Sequence, residues 1–402
     1  MELYDVSWLR LLGVAVATAV FPYTLFVGIC GTFTILRRKS FRIRASGPAK
    51  VNFAVVIPAH NEGKAICRTI ESVLNLDYPR ENYRLVVIAD NCDDDTADIA
   101  RAAGAEVLER SDPGRRSKGH ALADSLPRIF MSEEFREIDA VLVVDADTVV
   151  DGRVLLEMQQ ALLQGCDWLQ GLDVVANPIE NWRTKLTAFG FALFNGSFQM
   201  GSQLLAAGAH LRGNGMCFSR RALARVPWQA GGLAEDLEFS WVLRLAGERV
   251  RFVPTAIFFA EMPVTGRVSA SQRQRWEKGR HGLWKELRGK VIHAKVHPGR
   301  KLSWVIDLTM PSFTTLVSWY LLGSVLGLLA SQLEAQPLSA FHIISLVGSG
   351  LCLGVYALSP FLCFRLPWAT LTALLQLPYY VIWRSIIALG RTPSRWIRTE
   401  RR

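Results

Sequence analysis

Asp145 and Asp147 stand one residue apart at the end of the apolar run Val141-Leu-Val-Val144. Carboxylates at that spacing can share a hard divalent cation, which neutralises a diphosphate. A second acidic pair, Glu235-Asp236, precedes Leu237, Trp241 and Leu245 at helical spacing. In a cleft, Asp236 could act as a general base. Gln272-Arg-Gln-Arg-Trp276 combines guanidinium groups, which suit phosphate, with an indole face, which suits a sugar ring. Asp90 closes another apolar run, Tyr83-Arg-Leu-Val-Val-Ile-Ala-Asp90, and could accept hydrogen bonds from a nucleobase or ribose. Each feature also has a plainer reading: turn residues at a strand end, helix N-terminal acids, or a basic interfacial helix carrying a tryptophan. For Asp93-Asp-Asp95 the helix-start reading is preferred. Leu211-Arg-Gly-Asn-Gly-Met216 is either a backbone approach to a ligand or a simple loop.

The elements that must position these residues are legible as alternating strands and helices. Val51–Pro58, Tyr83–Asp90, Glu106–Glu109 and Val141–Val144 read as strands; Ala65–Leu74, Thr96–Ala103 and Lys118–Leu126 have helical spacing. Such alternation predicts a parallel, Rossmann-like α/β sheet. An unbroken apolar strand needs both of its faces covered. Asp145 and Asp147 would then lie at its carboxyl end, where open α/β sheets bind ligands.

Apolar residues make up 50% of the 402, and the mean hydropathy of +0.19 is high for a wholly soluble chain. They concentrate in Leu11–Leu36, Leu308–Ala330, Leu338–Phe364 and Leu366–Trp383. A bilayer core needs roughly 20 apolar residues per helix, so the first three suit spans and the fourth is short. The first run has no basic n-region and continues to a basic stop at Arg37, Arg38, Lys39, Arg42, Arg44 and Lys50, so it reads as a retained anchor. The positive-inside rule puts that flank in the cytoplasm. Three further spans would leave the C-terminus outside, against the basic tail, so the last run, interrupted by Pro378, is expected to lie along the interface. The net charge of +10 gathers beside the apolar runs, as lipid headgroup contact requires and nucleic-acid binding does not. Seven scattered cysteines without Cys-x-x-Cys imply neither a zinc site nor a disulfide framework.

Pro58-Ala-His-Asn-Glu62, Asp145-Ala-Asp147, Glu235-Asp236 and Gln272-Arg-Gln-Arg-Trp276 occur in that order between the apolar runs. Together they resemble the membrane-embedded family-two glycosyltransferases, the group of cellulose, chitin and hyaluronan synthases and ceramide glucosyltransferase. The resemblance covers about 51–285. It implies a GT-A fold that takes a nucleotide-diphosphate sugar, expected to be a UDP-sugar, with Mg²⁺ or Mn²⁺. It assigns Asp147 and Asp145 to the metal, and Ala59, Glu62, Asp90, Lys118, Asp145, Gln272 and Arg275 to the donor. Glu235 and Trp276 fall to the acceptor and Asp236 to the catalytic base. One departure is Ala89-Asp90, where the family often has two acids.

The expected organisation is an anchor at 1–37, a cytosolic GT-A domain at 51–270, and an interfacial basic segment at 271–302 with the Gln-x-x-Arg-Trp motif. Transmembrane or interfacial helices follow at 303–390 and a basic tail at 391–402. The expected protein is a multi-pass bacterial-type inner or plasma membrane enzyme that makes a β-linkage on a glycan or lipid-linked acceptor. A processive synthase coupled to export is the alternative within that class; outside it stands a catalytically silent sugar-nucleotide binding or transport protein.

Overall fold

The computed structural model describes residues 7–39, 44–63, 65–205, 208–232, 234–262, 282–333, 337–377 and 379–381. The Gln272–Trp276 motif, much of the last apolar run and the basic tail lie outside the described residues. Helix α1 (Ser7–Leu36) leads into β1 (Phe53–Ala59), α2 (Ile66–Leu74), β2 (Tyr83–Asp90), α3 (Thr96–Ala102), β3 (Glu106–Arg110), α4 (Lys118–Met131) and β4 (Ala140–Val143). Strands β3, β2, β1 and β4 lie side by side and parallel, as the alternation predicts. Every residue of β4 is buried, with Val141 and Val143 on one core face and Ala140 and Leu142 on the other. That is the environment an unbroken apolar run requires.

Beyond β4 the sheet departs from the all-parallel expectation. Strands β5 (Thr148–Val150), β6 (Trp168–Val175), β7 (Met216–Ser219) and β8 (Val250–Ala260) complete the order β3-β2-β1-β4-β7-β6-β8-β5, with α5 (Val154–Leu163) between β5 and β6. Strand β7 runs antiparallel to both β4 and β6, β8 is parallel to β6, and β5 is antiparallel to β8 at the far edge. Asp145-Ala-Asp147 is therefore the crossing from the middle of the sheet to its edge. Thr69 Oγ1 ties that crossing down, donating to the Ala146 carbonyl at 2.8 Å.

Between β6 and β7, α6 (Trp182–Phe191) continues through a π-helical turn, Ala192–Ser197, into α7 (Phe198–Leu204). A π turn frees carbonyls from the regular ladder. Two of them find side chains of the long apolar helices: Tyr356 donates to Leu193 at 3.0 Å and Thr34 to Ser197 at 3.2 Å. Helices α8 (Arg220–Arg225) and α9 (Glu235–Leu245) flank the start of β8, and α10 (282–293) and α11 (Pro298–Thr309) pack on α9.

Among the described residues three helices are long and apolar enough to cross a membrane: α1, α12 (Phe313–Leu333) and α13 (Ala340–Cys363). Gly28 and Gly31 of α1 let α13 approach so closely that a Cβ on Gly31 would lie 2.7 Å from the Tyr356 Cα. The apolar stretch from Leu308 is not one helix, because Met310–Ser312, with Pro311, separates α11 from α12. Proline removes the N–H that would continue α11, and Ser312 Oγ then accepts the Thr315 N–H at 3.2 Å to start α12. The first part of the last apolar run forms a 3₁₀ helix, Trp368–Gln376, lying against α6.

Candidate active site

The crossing after β4 holds Asp145 and Asp147, both half-buried. Asp145 is fixed at both ends: its N–H donates to Asn214 Oδ1 at 3.1 Å, and its carboxylate is paired with Lys118 Nζ. Lys118 opens α4, whose Ser117 cap accepts the His120 N–H. Burial pulls the Lys118 pKa down, but Asp145, Glu235 and Asp236 more than reverse this, so the ammonium stays charged.

Lys118 also donates to the Gly213 carbonyl at 2.7 Å. Gly213 has φ +80°, and a Cβ built on it would lie 3.5 Å from Asp236 Oδ2 and 3.6 Å from Lys118 Nζ. The stretch from Leu211 to Met216 is thus the backbone wall that brings Lys118, Asp145 and Asp236 to one point.

Asp236 lies in the first turn of α9, its Oδ1 accepting the Leu237 N–H at 2.8 Å. Burial raises its pKa, against the Leu237 N–H and the charges of Arg212 and Lys118. The paired Glu235 packs beside Gly119, where an added Cβ would lie 2.9 Å from the Glu235 Cβ and 2.5 Å from the Ala230 carbonyl. Gly119 is therefore a close-approach glycine that seats α9 on α4.

The β1 and β2 ends lie beside this centre. Ala59 is buried, and Glu62 is half-buried with its N–H donating to Thr96 Oγ1 at 2.9 Å. Asp90 is 6% exposed and accepts from Arg110 Nη1 at 2.6 Å and from Asn91 Nδ2 at 2.7 Å. Its carboxylate is thus engaged by a buried arginine that the sequence did not single out. In Asp93–Asp95 the cap residue of α3 is Asp95, which makes no side-chain cap bond, while Asp94 Oδ1 accepts the Thr96 N–H at 3.0 Å.

Sequence reasoning also missed Asp173, and reached Asn214 only as part of the stretch Leu211–Met216. Asn214 Nδ2 donates to Asp173 Oδ1 at 2.9 Å and to Thr148 Oγ1 at 3.0 Å, linking β6, β5 and the Asp145 backbone. Burial, then the charge of Asp145, pushes Asp173 up to about 8. The available signal was a polar residue inside the buried run Trp168–Val175.

Among the described residues no three His, Cys, Asp or Glu side chains are grouped to hold a metal ion. Asp145 and Asp147, one residue apart, are of the donor type that a hard cation such as Mg²⁺ takes together with oxygens of diphosphate and water.

This mixed α/β sheet is the arrangement of GT-A glycosyltransferases. The family model for glycosyltransferase like family 2 matches residues 48–279, more than half of the chain. The chain belongs to that family. A probable glycosyltransferase of Bacillus subtilis strain 168, YdaM, is 27% identical over 239 residues, 56% of this chain and 54% of the relative. Poly-beta-1,6-N-acetyl-D-glucosamine synthase of Staphylococcus aureus strain COL is 27% identical over 237 residues, with coverage of 56% and 54%. The chain spans about half the length of the curated relatives it matches. The solved mannosyltransferase PcManGT of Pyrobaculum calidifontis, in complex with GDP-Man and Mn²⁺, covers 92% of this chain and 99% of its own at 16% identity and TM-score 0.53. That likeness shows the fold.

Asp173 yields a test of the site's electrostatics. The folded chain keeps its proton up to about pH 8, whereas the unfolded chain releases it near pH 4. Between those values the unfolded state binds fewer protons, so this group's contribution to stability falls as pH rises. In chelator, Asp173→Asn should flatten the decline of Tm from pH 4 to pH 8. An unchanged slope would refute the assignment.

Proposed function

We propose that the chain is an inverting membrane glycosyltransferase that moves a sugar from a UDP-sugar to a polysaccharide or lipid-linked acceptor. The observation that carries this reading is the meeting of Lys118, Asp145 and Asp236 around Gly213. Asp236 takes the proton of the acceptor hydroxyl, and the hydroxyl oxygen forms its bond to the anomeric carbon. The bond from that carbon to the diphosphate oxygen breaks, and its electron pair leaves with UDP. One displacement inverts the centre, so an α-linked donor gives a β-linked product. The raised pKa of Asp236 suits a base that must hold the transferred proton.

Asp145 and Asp147 would hold Mg²⁺ or Mn²⁺, which supplies positive charge to the diphosphate. Lys118 orients Asp145 and adds a cationic donor to the same region. In this reading Ala59, Glu62 and Asp90 border the nucleoside side, and Arg110 fixes the direction of the Asp90 carboxylate. Glu235 and Trp276 serve the acceptor, and Gln272 and Arg275 close over the diphosphate. The poly-N-acetylglucosamine synthase relative makes UDP-N-acetylglucosamine the first donor to try.

Asp236→Asn should lower turnover by at least a hundredfold while Mn²⁺-dependent UDP binding stays within about threefold; near-native turnover would refute the base. In the native enzyme the raised carboxyl predicts that kcat/KM falls on acidification at a pH above the ordinary carboxylate range near 4. An acid limb at or below that value would contradict the environment described for Asp236.

The metal reading predicts that excess chelator abolishes transfer from radiolabelled UDP-N-acetylglucosamine or UDP-glucose in purified membranes, and that Mn²⁺ or Mg²⁺ restores it. Full activity in chelator would remove the metal from Asp145 and Asp147. UDP-sugar binding without transfer in either condition would instead favour the silent binding protein.

We also propose that α1, α12 and α13 span the membrane, with the glycosyltransferase domain in the cytoplasm. The apolar length of the helices and the basic residues following α1 support this orientation. Cys67 is exposed on that domain. A membrane-impermeant maleimide should label it in inverted vesicles and not in intact cells, with Cys67→Ser as the control; labelling in intact cells would reverse the orientation.

A further inference from the structure

A second buried ionic cluster lies on the membrane side of the base helix. Asp307 belongs to α11, shortly before the Met310–Ser312 break into α12. A carboxylate on a helix with Arg300 and Lys301 in its first turns would ordinarily face water. Asp307 instead is 7% exposed and faces the catalytic domain. Its Oδ2 accepts from His210 Nε2 at 2.7 Å and from Arg244 Nη1.

Both partners lead to the site. Arg244 stands in the last turn of α9, about two turns from Asp236 on the same helix, and its Nη2 donates to the Gly208 carbonyl at 2.7 Å. His210 lies on the adjoining strand of loop, clasped by Gln199, which accepts its N–H at 2.9 Å and donates to its carbonyl at 2.6 Å. The next residue, Leu211, donates its N–H to Ser240 Oγ at 2.8 Å, and Ser240 Oγ donates to the Asp236 carbonyl at 2.8 Å. Two residues further on comes Gly213, the wall of the site. The buried connection from α11 to the base helix and the Gly213 loop is therefore continuous.

Burial and Arg244 hold His210 down at about 4, so the imidazole is neutral and Arg244 alone balances Asp307. Buried ion pairs are a poor source of net stability, because packed apolar residues do as well; their best-attested use is to fix register. Trp241 and Trp304, packed edge-on at 6.1 Å, already join α9 to α11 by apolar contact. The ionic cluster adds direction to that contact.

We infer that Asp307, with Arg244 and His210, is a positioning cluster through which membrane-side helix α11 sets the placement of Asp236 and the Gly213 loop. This rests on the reading of Asp236 as the base.

The experiment compares Asp307→Asn, Asp307→Glu and the double variant Arg244→Met with Asp307→Leu, in detergent-solubilised full-length chain. Turnover of UDP-N-acetylglucosamine, or of UDP-glucose if that is the donor found, is normalised to Mn²⁺–UDP binding sites, so that loss of folded protein does not register. Asp307→Asn and the double variant should bind UDP within about twofold of native and lose at least tenfold in turnover per site, with part recovered in Asp307→Glu. Native turnover per site in either folded variant would overturn the inference, as would a double variant that no longer binds UDP, since the cluster is then structural. Asp236→Asn is run alongside. Its retention of turnover would overturn the base reading and this inference together; its loss, with native turnover in Asp307→Asn, overturns this inference alone.

Discussion

Like charges crowded at one rim of an apolar sheet constrain everything else in this molecule. Burial first, and then the charge of Asp145, raises the pKa of both Asp173 and Asp236. Two unit charges 4 Å apart interact by about 4 kcal/mol at an effective dielectric near 20. Lys118 answers part of this from within, as the partner of Asp145 and a neighbour of Glu235 and Asp236. Asp173 answers another part by keeping its proton. In the proposed reading, a divalent cation with a diphosphate would rearrange the same balance.

The fold gathers these charges by changing strand direction. Here the crossing after β4 runs to the far edge strand β5, and antiparallel β7 fills the gap beside β4. The loop that enters β7, with Gly213 at φ +80° and Gly215 at φ +72°, is thereby laid across the carboxyl end of β4. At Gly215 a side chain would collide with the Phe258 ring, 2.6 Å from an added Cβ. Asn214 between the two glycines then satisfies the Asp145 N–H, Thr148 and Asp173 together.

What the sequence disclosed follows from which physical signals are local. The apolar run 141–144, the helical spacing after Lys118 and the acids at Asp145, Asp147 and Asp236 are each visible within a few residues, and the first half of the sheet followed from them. Antiparallel β7 was not legible, because Met216–Ser219 is four residues long and its partners lie far away in the chain. Asp173 and Arg110 escaped notice because a polar residue in a strand acquires meaning only from its neighbours in space. Long apolar runs show their length but not their breaks: Pro311 divides the run from Leu308 by removing one backbone donor. Asp307, one residue before that run, carried no signal in the sequence and is a buried ion-pair partner of α9.

The catalytic domain and the long apolar helices share their packing, which bears on how the site is held. Gly201 of α7 lies so close to α1 that an added Cβ would be 2.3 Å from the Cys30 Cα. Phe198, on the same helix, packs on Phe26 with ring centroids 5.9 Å apart. The π turn before it offers its carbonyls to Tyr356 and Thr34, and its Phe194 lies beneath the Arg212 guanidinium at 3.7 Å. Arg212 is one of the charges that lower the Asp236 pKa. A shift of α1 or α13 against the domain would therefore disturb Phe194 and Arg212 before it reached the carboxylates. The apolar helices thus pack against the same π turn whose Phe194 carries the Arg212 guanidinium.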